Sequence, residues 1–175
     1  MIKKFELLTN DFVEPLDCYS GNMHRIRALV DIPAHGVRAG DLGGFLWDEG
    51  NLSHEGQAWV GGNARVAGNV SGDALVSGQA WVGPWVLVLE RAQIRDWAIL
   101  EAIGWVGGDA RVGDHAILTD VIVVRDRAHV GGRVRLSGGD AGRATVVGGE
   151  AHLTGDLHLN GSLQLIGTGT ALAAA

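Results

Sequence analysis

The sequence predicts an all-β protein wound into a solenoid, and three observations predict it. From Gln57 to Gly138 a six-residue unit recurs, as QAWVGG (57–62), NARVAG (63–68), DALVSG (73–78) and QAWVGP (79–84). Glycine occurs 28 times against three prolines, too often for a helical protein and without the strict triplet of collagen, so the excess belongs to turns. Finally, a three-residue strand and a glycine turn repeat without hairpin signals, a pattern that cannot form a meander and can only coil.

The inward side of the coil can be assigned residue by residue. The small second position of the unit is held by Ala58, Ala64, Val70, Ala74, Ala80, Val86, Ala92, Ala98, Gly104, Ala110, Ala116, Ile122, Ala128 and Val134. The aliphatic fourth position runs Val60, Val66, Val76, Val82, Val88, Ile94, Leu100, Val106, Val112, Leu118, Val124, Val130 and Leu136. Side chains alternate along a strand, so these two positions share the inner face and the third position points outward. NVSG (69–72) is two residues short, an even change that keeps Val70 inward. GDAG (139–142) is a second irregularity before RATVVG resumes at Arg143.

With Val60-Gly61 followed by Ala64, Val106-Gly107 by Ala110, and Val112-Gly113 by Ala116, the chain resembles the hexapeptide-repeat, left-handed β-helix proteins over roughly two thirds of its length. The resemblance implies a single-stranded parallel β-helix in which three units make one triangular coil, about six coils in all. Left-handedness follows from the resemblance alone, since parallel crossovers are generally right-handed. The run GDLGGFLWDEGNLSHEGQAWVGGNARV (40–66) is similar to a segment of uncharacterised bacterial and phage β-helix proteins, some named as acyltransferases or polymer-forming proteins. That similarity implies a phage or prophage origin.

Residues 1–56 lie outside the repeat and predict a small N-terminal β cap, with strands at Lys4–Leu8 and His24–Ile32 and glycine turns over Gly36–Phe45. Its task is to cover the first coil, which otherwise presents unpaired backbone and apolar side chains. The β-helix then occupies 57–167 and a C-terminal tail 168–175, together one structural domain. After Glu150 the units carry larger leucines.

Composition narrows the function. The formal charge is −6, but 57–175 hold nine arginines and eleven acids, so the repeat is nearly neutral and no basic stripe for direct nucleic-acid binding is present. No run approaches the ~18 apolar residues of a membrane span, and the N-terminus has no continuous apolar segment of the signal-peptide kind. The lone Cys18 cannot close an internal disulfide. A cytoplasmic protein is expected, in the host cytoplasm if phage-encoded.

No phosphate-cradling loop, metal-binding spacing or Ser/His/Asp arrangement is found, so no cofactor or metal is expected. The resemblance implies acyl transfer as one activity, with His115 (after Asp114, which would orient it) or His129 as the general base; the solvated-residue reading of both stands beside it. Stacked outward positions are more informative. Trp81, Ile99 and Ile117 form one column; Leu87, Trp105 and Val123 form another, with Leu89 beside it. Single outward β-branched residues follow from strand propensity, but contiguous apolar columns predict an interface. The expected partner is a second copy, as a dimer or trimer, or a host protein complex; in the latter case the protein would act as an inhibitor. Arg125, Arg127, Arg133 and Arg135, four arginines within eleven residues, form a candidate anion or partner contact, or a solvated ladder with neighbouring acids.

Overall fold

A computed structural model describes residues 2–14, 21–139 and 143–172. Cys18, Asp140 to Gly142 of the insert, and the last residues of the C-terminal tail lie outside the described residues. The chain is a parallel β-solenoid of about seven turns, one more than the repeat alone predicts. No helix among the described residues is long and apolar enough to cross a membrane.

Pairing follows the repeat. Gln93 pairs in parallel with Leu75 and Arg111, Ile99 with Trp81 and Ile117, and Trp105 with Leu87 and Val123, each partner one 18-residue coil away. These ladders form three faces. The first runs through Trp59, Leu75, Gln93, Arg111, His129 and His152; the second through Arg65, Trp81, Ile99, Ile117, Arg135 and His158; the third through Asn69, Leu87, Trp105, Val123, Val146 and Gln164. The NVSG shortening is absorbed where Trp59 pairs with Leu75, and Val70 stays buried. The insert before Arg143 widens one coil to an offset of 23, as in His129 with His152, after which Val146 pairs with Gln164 in the ordinary spacing.

The interior is the predicted one. From Ala58 to Leu136 every second- and fourth-position side chain is buried, Gly104 alone being half-exposed. Gly104 is required: its φ is 154°, and an added Cβ would lie 1.9 Å from the Ile122 carbonyl oxygen of the next coil.

The three corners differ. Between the third and first faces the turn residue is left-handed in every coil, alternating Gly72, Glu90, Gly108, Asp126 and Gly149. Glycine and short acids tolerate this conformation, and the acids add a link: the Gly108 N–H donates to Glu90, and the Gly149 N–H to Asp126 at 2.8 Å. Between the first and second faces, Gly78, Asp96, Asp114 and Gly132 play the same part. The third corner is unlike these. One coil turns there at Pro84–Trp85, but in the next two Ile99–Val106 and Ile117–Val124 pass through as continuous eight-residue strands, the latter with left-handed Asp120 (φ 64°) inside it, so the second and third faces belong to one 13-stranded sheet while the first face forms a separate sheet of seven.

The cap consists of β1 (Phe5–Val13), β2 (Met23–Ala28) and β3 (Leu42–Leu46), with antiparallel β1–β2 and β2–β3 pairs. The second predicted strand is shorter than expected because the chain turns through a 3₁₀ segment at Pro33–His35, closed by an Ile32–Val37 bridge. Of the turns expected over Gly36–Phe45, Gly36 and Gly40 form theirs with positive φ (66° and 97°), whereas β3 replaces the turn expected at Leu42–Phe45. Gly43 and Gly44 serve close approach instead, since a Cβ on either would lie 2.5 Å from the Val60 or Ala64 carbonyl oxygen. β3 pairs in parallel with Arg65–Val66, and Leu52 with Val70, so the parallel ladders begin ahead of Gln57.

Phe5, Ile26 and Ile32 close the core at this end. Phe5 stacks on His54 at 4.5 Å, and Glu49 accepts from both His54 (2.9 Å) and Lys3 (3.0 Å). Lys4 is buried, with Nζ 3.5 Å from the carbonyls of Glu55 and Gly56, and burial pushes its pKa down to about 8.

Candidate functional site

The predicted outward columns are in register, but the surface they offer is not uniform. Trp81 is covered: its indole is buried in a small second core with Met23, Phe45 and Ala67, packed by Val13, Trp47 and Ile99, and its N–H donates to Glu101. The cap thus seals the upper part of the Trp81, Ile99, Ile117 column, leaving Ile99 and Ile117 half-buried. Leu89 is half-buried at a corner.

The other column is open. Leu87 is 41% exposed, with Trp105 and Val123 half-exposed below it. Beside it runs a column that the third-position argument misses, formed by first-position residues at the third corner. Trp85 is 71% exposed and Ile103 59%, and Ile103 pairs with Val121. In the coils of Ile103 and Val121 the strands continue through this corner, and Trp85 stands in the turn just before the strand Val86–Val88, so the first-position side chains stand next to the third-position ones. Six apolar residues (Trp85, Ile103, Val121, Leu87, Trp105 and Val123) therefore form one ridge three coils high, about 10 Å between outer rungs at the usual strand spacing. The same 18-residue spacing at position one was the signal for it in the sequence.

The candidate bases are separated. His115 is exposed at the corner between the first and second faces, with its ring parallel to that of Trp97 at 6.4 Å. Asp114 does not orient it; its carboxylate accepts from the Gly132 N–H at 2.7 Å, which is the corner link described above. His129 lies on the first face, 5.4 Å from His152, and its pKa is pushed down by burial and then by that second imidazole. Among the described residues no group of three or more His, Cys, Asp or Glu converges as a metal site.

The four arginines also divide. Arg127 pairs with Glu150, and Arg125 Nε lies 3.8 Å from Asp126, both at the corner between the third and first faces. Arg133, in the following turn, and Arg135, at the start of the next strand, line a cleft of about 430 Å³ with His115, Ile117, Asp156 and His158.

No family profile matches the chain, and no curated protein matches it.

Proposed function

We propose that the protein is a non-catalytic interaction scaffold that self-associates through the third face. The observation that carries this reading is the exposed ridge of Trp85, Ile103 and Leu87 with Trp105, Val121 and Val123. Scattered apolar residues are normal on a surface, whereas a contiguous patch with two indoles on a rigid ladder loses free energy to water that contact with a like patch recovers. A two-fold pairing brings the same ridge from each copy together, and a trimer would use it against a neighbouring face.

Light scattering on the eluting protein is the test. The wild type should elute at a multiple of 18.4 kDa, and Ile103→Asp or Trp85→Asp should give the single-chain mass with an unchanged melting curve. A monomeric wild type at high concentration would remove this reading. The alternative, a hexapeptide-type acyltransferase, draws on the exposure of His115 beside an open cleft. Acyl-thioester binding by the same protein, abolished in His115→Ala, would favour it instead.

A further inference from the structure

We infer that the second face carries a binding site for a phosphate group, built on Arg133 and Arg135 and independent of the apolar ridge. Arg135 opens the strand Arg135–Ser137 and Arg133 stands in the turn just before it, and both side chains line the same cleft. Neither guanidinium has a carboxylate partner among the described residues, in contrast to Arg127 with Glu150 and Arg91 with Asp109. Register places an imidazole next to each. His115 stands one coil before Arg133, its N–H bonded to the Gly132 carbonyl at 2.9 Å, and His158 pairs directly with Arg135 one coil after it. Among the described residues Asp156 is the one acid lining the cleft, and its Oδ1 lies 3.4 Å from His158 Nε2.

The cleft is therefore a grid of donors with net positive character around two unclaimed planar forks. Such forks match the oxygens of phosphate two at a time, and charge-assisted bonds of this kind are roughly twice as strong as neutral ones. The cleft continues past Arg135 and His158 into a second pocket of about 240 Å³ that includes Thr119, Ser137 and Asn160. The Thr119 and Ser137 hydroxyls lie 3.1 and 3.0 Å from Asp120 Oδ2. With their protons given to that carboxylate, they accept from a ligand, and Asn160 can both donate and accept. This pocket gives room for the hydroxylated body of a phosphate ester, so the site suits a free or an esterified phosphate; the two sources are separated by the probes.

Calorimetric titration of the full chain with inorganic phosphate and with glycerol phosphate, followed in parallel through the imidazole proton signals of His115 and His158, tests the site. Saturable binding that shifts both imidazoles is expected, weakened about tenfold or more by Arg133→Ala or Arg135→Ala and unchanged by Arg127→Ala, the loss of a charge-assisted pair being worth that much. Tighter binding of glycerol phosphate assigns an ester, which Asn160→Ala should return to the level of inorganic phosphate; equal binding assigns the free ion. No saturable binding would overturn the site, as would an equal loss in Arg127→Ala, which marks diffuse charge. Variants of the ridge should leave binding unchanged, so this site and self-association can fail separately.

Discussion

The two ends of the solenoid are made from the same kind of residue and behave differently. At the N-terminal end, Phe5, Ile26, Ile32, Leu46 and Leu52 are buried, because β1 and β2 fold across the first coil. At the far end, Leu157, Leu159, Leu163 and Leu165 are only half-buried, Ile166 is 52% exposed, and a cavity of about 460 Å³ opens between the strands at 151–153 and 164–170. Leucine replaces alanine and valine in these last coils, yet burial falls. A coil gains its stability from the neighbours stacked on it, and among the described residues the last coil has a neighbour on one side only. The lesson is that side-chain size does not make a solenoid core; a covering layer does.

Four substitutions would break or sharpen that contrast. The largest effect is expected in the middle, where both neighbours are present. Val106→Asp puts a carboxylate into an interior with no partner for it, and cooperative unfolding in urea should be lost. A variant that melts as cooperatively as the wild type would show that the inward assignment is wrong.

Next come the ends themselves. Phe5→Ala should cost about 3–5 kcal/mol, the usual range for a buried aromatic, whereas Leu165→Ala should cost under about 2 kcal/mol because much of that side chain is already wet. Urea midpoints for the pair measure the difference, and equal costs would mean that something covers the far end in solution.

The smallest effect is a pH slope at the sealed end. The folded-state pKa of Lys4, about 8, lies below the ordinary lysine value of 10.5. Below about pH 8 the folded and unfolded chains both hold the proton, and the cost of burying the ammonium is fully present. Between about 8 and 10.5 the unfolded chain retains a proton that the folded chain has released, so stability rises with pH. Lys4→Met should abolish this rise, as read from melting temperatures across that window; a slope retained in the variant would place its source elsewhere.

The interior was legible in the sequence because an inward position has one requirement, to be small or aliphatic at a fixed interval, and each unit repeats it. Outward positions have no such rule, and their exposure depends on what lies over them. Trp81 and Trp105 look equivalent in the repeat, yet the non-repetitive residues Met23 and Phe45 cover the first and not the second. Ile103 escaped notice because position one is ordinarily a polar corner residue, and only the strand running straight through Ala102 turns it into part of a surface. Gly43 and Gly44 read as turn formers when their function is to let β3 lie against Val60 and Ala64. The four arginines were grouped by closeness along the chain, whereas a solenoid brings together residues one coil apart and parts those on either side of a corner.

The fused corner also gives the rod a mechanical direction. Two edges are creased at left-handed residues, where each coil changes course within a residue or two. The third edge is bridged by continuous strands hydrogen-bonded to one another over eight residues, from Ile99 with Ile117 to Val106 with Val124. Although Asp120 is left-handed within one of these strands, the ladder is unbroken across it, and a continuous ladder resists shear and opening along its length, so bending should be taken up at the two creased edges and the spine should hold its shape. Ile103 stands on that spine, and Trp85 in the turn at its edge, where the Trp85 carbonyl accepts from the Gly104 N–H.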